Sequence, residues 1–439
     1  MGSQPETITK IAVRGFKSIA DEQEIELRPL TLLAGANSSG KSSIMQPVLL
    51  LKQTLEAPSD PGPLLIDGPN VRFTSAEQLL SRMSGKAKTS GFSVRIELSN
   101  GPCLQVLFKR EKGVGFELNT MDYADDGEKL HVVPDMAHDD ILKCLPSHLK
   151  AIHTEIEKSA KGTLHWSVYR ERCFFSFGLS GPEIGQSRIS LGPVSPTGRF
   201  VHHLQRLIHL PGLRGNPQRN YPKTAIGPFF PGTFEDYVAS AIAQWQSTND
   251  KHLSSLGSAL EDMGLTWKVE AKPVGDTQVE LRVARLPHGK RGGAYDLVSI
   301  ADVGFGVSQS LPVVVALIAA KPGQVVYLEQ PEIHLHPRAQ RRLAHVLADA
   351  ADRGVIVVAE THSALLLREV QTLVATGKLA MDKVKLHWVQ RQDDGRTVVT
   401  PADLDENGAF GDWPEDFDEV ELDAEKTYLD AVERKGAGE

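Results

Sequence analysis

The segment Gly35-Ala36-Asn37-Ser38-Ser39-Gly40-Lys41-Ser42 constrains this chain more than any other stretch of it. Two glycines five positions apart, followed by lysine and a hydroxyl residue, form a loop whose backbone N–H groups can turn inward where side chains would collide. Its flanks fit that purpose. Residues 23–34 (QEIELRPLTLLA) read as a strand delivering into the loop, and a helix over about 41–55 follows, so a helix N-terminus faces the same point. Such a loop is a phosphate cradle: Gly35, Asn37, Ser38, Ser39, Gly40 and Ser43 shape it, Lys41 carries charge to the β/γ-phosphates, and Ser42 offers a hydroxyl to Mg²⁺. The expected cofactors are ATP and Mg²⁺.

A second half of the site is expected far along the chain. Val325-Val326-Tyr327-Leu328-Glu329 is an apolar strand ending in a carboxylate, placing Glu329 with Ser42 as the metal-side pair. About 30 residues on, Val355 to Ala359 leads into Thr361-His362-Ser363, where an imidazole can sense the γ-phosphate. Upstream, Gly304-Phe305-Gly306-Val307-Ser308-Gln309 opens another helix with glycine and polar residues, a second phosphate-binding helix start. One nucleotide does not need two such starts, so Gly306, Ser308 and Gln309 are expected to close over the nucleotide of a second copy. Helix and strand alternate over 306–320, 324–329, 338–352 and 354–359, the pattern of a parallel sheet covered by helices.

Between these halves lie short β-rich runs from about 91 to 191 around one helical stretch near 137–160. Two amphipathic helices follow at about 233–247 and 249–263, then strands near 266–271, 278–285 and 295–300. No acidic residue occurs between Ile184 and Phe234, while Arg188, Arg199, Arg206, Arg214, Arg219 and Lys223 are joined by His202, His203 and His209. That stretch must face anions. DNA or RNA phosphates and the acidic C-terminal tail are the two candidates, because residues 401–439 carry 14 Asp/Glu against 3 Lys/Arg. Trp413 and Phe417 within that tail suggest docking.

At 439 residues the chain exceeds one compact core. The expected division is an N-terminal lobe over 1–90, an inserted α+β region over 91–290, a C-terminal lobe over 291–400 and an acidic module over 401–439. The longest apolar run, Leu311 to Ala320, is half the length of a membrane span, and MGSQPETITK lacks a signal-peptide core, so a cytoplasmic protein without membrane contact is expected. Cys103, Cys144 and Cys173 are too scattered for a disulfide framework.

These motifs, in this order, resemble the ABC-type ATPases of the SMC, RecF and OLD superfamily. Arg14-Gly15-Phe16-Lys17-Ser18 resembles their basic-aromatic turn and Glu360 to Ser363 their histidine switch. HLPGLRGNPQRNYP, LEQPEIHLHP (Leu328 to Pro337) and GAFGDWPEDF (Gly408 to Phe417) look closest to prokaryotic AAA-family ATPases with a C-terminal domain of unknown function. The resemblance implies an α/β fold: an ABC-type P-loop ATPase head with a parallel-sheet core, an N-terminal antiparallel β portion and a large α+β insertion. It further implies a homodimer or higher homo-oligomer closing on Mg·ATP to gate DNA or RNA, or an effector protein encoded nearby, in antiphage defence or genome maintenance.

Two departures follow from the same resemblance. The signature reads Phe-Gly-Val-Ser-Gln instead of Leu-Ser-Gly-Gly-Gln, so the usual serine is either replaced by Ser308 or absent. Gln330 stands where the family has a catalytic glutamate. An amide orients water but cannot take its proton, so hydrolysis is expected to be slow, or Glu332 or Glu360 substitutes. His334 and His336 read as a protomer-contact loop rather than a metal pair, since structural zinc wants four ligands. Gln46, Gln53 and Gln78 are equivalent candidates for a glutamine sensing the γ-phosphate.

Overall fold

The computed structural model describes residues 5–83, 88–113, 115–159, 164–184, 187–286, 296–411 and 426. Its centre is a six-stranded sheet in the order Ile208–Leu210, Val325–Glu329, Ile356–Thr361, Leu30–Ala34, Val384–Arg391 and Thr397–Ala402. The first five strands run parallel and the last is antiparallel. The fold is α/β with a parallel-sheet core, an N-terminal antiparallel sheet and a large α+β portion between the two halves of the core.

Strand alternation assigns each face of this sheet to its own core. Leu30, Leu32, Val326, Leu328, Val357 and Ala359 point into one core, with the helices Val238–Ser247, Phe305–Ala319, Pro337–Asp352 and Ala364–Ala375. Leu33, Val325, Tyr327, Ile356 and Val358 point into the other, with the helix Lys41–Glu56 and the antiparallel sheet. By the same alternation Glu329 and Glu360 face the Lys41–Glu56 helix. That helix starts at Lys41 because Gly40, at φ 105°, is left-handed, and ends before Ala57-Pro58. Ile44, Met45, Val48, Leu49, Leu50, Leu51 and Leu55 anchor it, each worth about 1.5–3 kcal/mol of burial.

The expected strand over 23–34 is two. Gln23–Glu26 joins the antiparallel sheet and Leu30–Ala34 the parallel one, because Pro29 has no N–H to continue a ladder and the Arg28 N–H turns onto Thr31 Oγ1 at 2.8 Å. The antiparallel sheet, ordered Gln23–Glu26, Ile8–Arg14, Gly91–Leu98, Cys103–Glu111, Gly115–Asp125 and Glu128–Val132, runs on past residue 91, where the insertion is expected to begin. The single helix near 137–160 is two, His138–Cys144 and Ser147–Ser159, separated at Leu145-Pro146. Two smaller sheets complete the chain: one of Tyr221–Pro222, Val269–Val274, Gln278–Ala284 and Leu297–Ser299, and one of three strands over 165–194. All three cysteines are free thiols, Cys173 fully buried.

Candidate nucleotide site

The Gly35–Ser42 loop closes on a framework that tolerates only glycine at two points. A Cβ on Gly35 (φ 150°) would lie 2.1 Å from the Val389 carbonyl oxygen, and one on Gly40 would lie 2.3 Å from Thr397 Oγ1 and 2.8 Å from Ser18 Oγ. Thr397 Oγ1 in turn donates to the Ser39 carbonyl at 2.6 Å, so the last strand of the sheet pins the loop. Lys41 is buried and donates to the carbonyls of Gly35 (3.0 Å) and Ala36 (2.9 Å), which leaves one of its three N–H groups for an anion. Burial pulls its pKa down against the opposing charges of Glu360 and Glu332. A 470 Å³ cleft opens over Lys41 and Ser42, walled by Lys17, Gln46, Glu360 and His362, and Asn37, Ser38 and Ser43 line it.

The two strand-end carboxylates occupy different surroundings. Glu329 and Glu360 are register neighbours on adjacent parallel strands. Ser42 Oγ donates to Glu360 Oε2 at 2.8 Å, and the Tyr327 hydroxyl donates to Glu360 Oε1. Complete burial, reinforced by the Glu329 charge, pushes the Glu360 carboxyl up to about 7. Glu329 is bound elsewhere: Oε1 lies 3.1 Å from His209 Nε2, and Oε2 accepts the Gly212 N–H at 3.1 Å. Burial would raise Glu329, but these bonds and the Arg214 charge outweigh it and hold the group below the ordinary carboxylate range. Arg214, also buried, donates to the carbonyl of Gln330 at 3.1 Å.

Among the described residues, no helix is long and apolar enough to cross a membrane. Residues 7–164 match a family model described as "AAA ATPase domain", and residues 191–368 one described as "AAA domain, putative AbiEii toxin, Type IV TA system". Both matches are to AAA-domain models, and together they take in most of the chain. No curated protein matches it. Among solved structures it is similar to an SMC head bound to the C-terminal winged-helix domain of ScpA, at 13% identity, covering 91% of this chain and 98% of that one, with a TM-score of 0.49. It is also similar to the SMC head domain from Thermotoga maritima (13% identity, 91% and 100% covered, TM-score 0.39). A third is the Smc head with an extended coiled coil from Pyrococcus furiosus, bound to the C-terminal domain of ScpA (13%, 98% and 100%, TM-score 0.45).

His362 lines both this cleft and the larger groove beside it, and Glu332 lines the groove. Glu332 Oε1 accepts from Thr361 Oγ1 (2.8 Å) and from the His362 N–H (2.9 Å), whereas its buried Oε2 has no hydrogen-bond partner among the described residues. Burial and the Lys41 charge lower the His362 pKa, against a hydrogen bond to the Gly35 backbone. Gln330 sits in the left-handed region at φ 44° and lines the cleft beside them. The larger groove, of 1260 Å³, continues outward past Glu332, His334 and Arg391.

The signature residues do not line this cleft. Ser308 and Gln309 are buried and spent within the chain, Ser308 Oγ donating to the Phe305 carbonyl (3.3 Å) and Gln309 Nε2 to the Gly215 carbonyl (3.1 Å). Gly306 packs near the His334 carbonyl, and the exposed Phe305 ring stands 5.6 Å from that of His334. His336 is occupied as helix cap, accepting the Arg338 N–H, and no group of three or more metal-ligating side chains occurs among the described residues. Of the three glutamines, Gln53 is buried among bonds to 65, 70 and 71, while Gln46 and Gln78 line the cleft and Gln46 takes a 2.6 Å bond from Lys17.

Part of the acid-free stretch finds its anions inside the chain. Arg199 pairs with Glu6 and Asp125, His203 with Glu6, His209 with Glu329 and Arg219 with Asp302. The side chain of Arg188 lies outside the described residues, as do Trp413 and Phe417 with residues 412–425 and 427–439 of the tail. Of the acidic groups before them, Asp403 pairs with Lys385 and Arg28. His209 and Tyr327 escaped the sequence reading as site residues, and Glu360 entered it only as a substitute base and not as the partner of Ser42; the signal available for His209 was its place in HLPGLR.

Proposed function

We propose that this chain binds Mg·ATP at the Gly35–Ser42 cradle and hydrolyses it slowly, using the bound nucleotide to close on a second copy. The observation that carries this reading is the convergence of Lys41, Ser42, Glu360, Gln330 and His362 on one cleft at a helix N-terminus. Gly35 to Ser39 would surround the β-phosphate through backbone N–H groups, and Lys41 would meet the β/γ-oxygens. Mg²⁺ takes oxygen ligands, and the Ser42 hydroxyl beside carboxylates at the ends of adjacent strands is a donor set that fits it. The ion would neutralise charge developing on the phosphates.

Gln330 can orient a water but not deprotonate it. Glu332 would substitute: one oxygen is fixed by Thr361 and the His362 N–H, and the other has no hydrogen-bond partner among the described residues. Gly306, Ser308 and Gln309 would act on the nucleotide of a partner copy, the role consistent with their lying outside the cleft of their own chain. The gated interaction would be with nucleic acid or an effector protein in antiphage defence or genome maintenance. The toxin–antitoxin description of the second matching family favours the effector. The internal pairing of Arg199, His203, His209 and Arg219 weakens the case for nucleic acid on that stretch.

A second reading, a nucleotide-dependent scaffold that holds an effector nuclease or toxin and scarcely hydrolyses, is favoured by Gln330 alone. Steady-state turnover of the wild type, Lys41→Ala and Gln330→Glu separates the two. Slow wild-type turnover, abolished by Lys41→Ala and raised about tenfold or more by Gln330→Glu, is expected. Turnover indistinguishable from background in the wild type leaves the scaffold; brisk turnover sinks it.

A further inference from the structure

We propose that Glu360, and not Glu329, is the carboxylate that faces the nucleotide's divalent cation, and that Glu329 is withdrawn from it by a clasp made of His209 and Gly212. The inference rests on reading the Gly35–Ser42 loop as the ATP cradle and assigns the metal side of that site. It begins from Ser42, whose hydroxyl is the group a P-loop presents to the metal. That hydroxyl lies 2.8 Å from Glu360 Oε2. The Tyr327 hydroxyl holds the other Glu360 oxygen, so Oε2 is aimed at Ser42 and not free to turn away.

Glu329 has both oxygens engaged away from Ser42. Its Oε2 accepts the Gly212 N–H, and its Oε1 faces His209 Nε2, each at 3.1 Å. The direction of the histidine bond follows from its other nitrogen. Asn70 Nδ2 donates to the Gly232 carbonyl at 3.0 Å, which orients its amide, and the same nitrogen lies 3.1 Å from His209 Nδ1. In that arrangement Nδ1 accepts, so Nε2 carries the proton and donates it to Glu329. The imidazole is itself immobilised: it is fully buried and stacked on the Tyr327 ring at 5.3 Å with planes 11° apart. Its backbone strand lies beside the Glu329 strand, with His209 opposite Tyr327 in the parallel register.

The clasp therefore belongs to the sheet and not to a loose loop. Ile208–Leu210 adds a strand outside Val325–Glu329, and the chain then turns through Pro211 so that Gly212 meets the carboxylate, Arg214 the Gln330 carbonyl and Gly215 the signature residue Gln309. Two neighbouring carboxylates at one register position divide the work. One is committed to the segment carrying HLPGLRG, and the other is left with Ser42.

The test uses the full chain, ATP and Mn²⁺ as the probe, with free Mn²⁺ followed by electron paramagnetic resonance. Binding of a fluorescent ATP analogue in EDTA gives the metal-free reference for each variant, and a metal effect is counted only beyond any loss there. Glu360→Gln is expected to weaken Mn²⁺ binding in the presence of ATP by about tenfold or more, and Glu329→Gln by no more than about threefold. The reverse order, or an unchanged Mn²⁺ affinity in Glu360→Gln, overturns the assignment while leaving the cradle intact. A wild type that binds neither analogue nor Mn²⁺·ATP removes the cradle reading and this inference with it. Should Glu360→Gln fail to fold by circular dichroism, Glu360→Asp decides, because a carboxylate one methylene shorter is expected to weaken Mn²⁺ several-fold and an unaltered affinity contradicts the proposal.

Discussion

Two helices of this chain begin with glycine and present polar side chains in their first turn, yet their surroundings are opposites. The Lys41–Glu56 helix begins inside a walled cleft: Gly40 is wedged against Thr397 and Ser18, Ser42 touches a buried carboxylate, and Lys41 is roofed by loop carbonyls. The Phe305–Ala319 helix begins in the open. Gly304 has ordinary helix-entry geometry with nothing within 4 Å of a Cβ, Phe305 is 52% exposed, and Ser308 and Gln309 turn back onto their own chain. A helix N-terminus supplies partial charge in either place. What distinguishes them is the wall, and the wall comes from strands distant in sequence.

The largest effect expected from this difference is on nucleotide binding. Lys41→Ala removes the cation that the loop carbonyls anchor at the walled start and is expected to weaken ATP binding roughly 100-fold or more, about 2.7 kcal/mol, by isothermal titration calorimetry. An affinity within threefold of wild type would mean that the walled start is no more a phosphate site than the open one.

The wall also contains a proton. Burial, with the Glu329 charge, holds Glu360 near 7 against an ordinary 4.5, so the folded chain keeps a proton there that the unfolded chain has released. Between about pH 4.5 and 7 the folded state binds more protons than the unfolded one. Stability from this group is therefore lost as pH rises through that window and is flat above it, with a total of about 3 kcal/mol. Burial lowers the pKa of His203, His362 and His387, which acts in the opposite sense over part of the range, so the comparison has to be internal. Urea denaturation of the nucleotide-free chain at pH 5.5 and 7.5 should show the wild type losing ground to Glu360→Gln on going to the higher pH. A parallel response of the two proteins would contradict a buried, protonated Glu360.

The parts of this site that were legible in the sequence are those whose signals are local. The glycine spacing at 35–42, the apolar strand ending at Glu329 and the strand-helix alternation from 306 to 359 each depend on neighbours within a turn or a strand, and the elements stand where those patterns put them. Strand order is not local. The Ile356–Thr361 strand lies between the P-loop strand and Val325–Glu329, and this is what brings Glu360 to Ser42; no spacing along the chain encodes that neighbour. His209 was obscured by its company. It sits in a run of basic residues whose bulk reads as an anion-facing surface, but its three-residue strand Ile208–Leu210 is fully buried and its anion is Glu329, 120 positions away. The break of 23–34 at Arg28-Pro29 was visible in the proline yet overridden by the apolar pattern on both sides.

The glycines before the two helices give the next smaller effect. Gly40→Ala must place a methyl within 2.3 Å of Thr397 Oγ1 at a φ of 105°, where side chains are strained, and is expected to cost about 1–3 kcal/mol of stability. Gly304→Ala meets open space at a φ of −62° and forfeits only the modest capping preference of glycine over alanine, under about 1 kcal/mol. Denaturation midpoints of the two variants measure this directly, and equal losses would show that the loop around Gly40 yields more easily than its contacts indicate.

The smallest effect belongs to Ser308. Its hydroxyl bonds to the Phe305 carbonyl three residues earlier in its own helix, a weak local contact of 3.3 Å, so Ser308→Ala should change the stability of the isolated chain by a few tenths of a kcal/mol. The two helix starts then make different demands on concentration. An effect at the walled start is felt by a single chain, because every group that shapes it is in that chain. If the open start serves a partner's nucleotide, Ser308→Ala should leave ATP affinity at high dilution close to wild type and reduce ATP-dependent self-association, read by sedimentation velocity with and without nucleotide across a concentration series. A loss of ATP affinity in the dilute chain would mean that Ser308 reaches its own cleft by a movement of the Phe305–Ala319 helix, and the contrast between an enclosed and an open helix start would no longer divide one copy's work from its partner's.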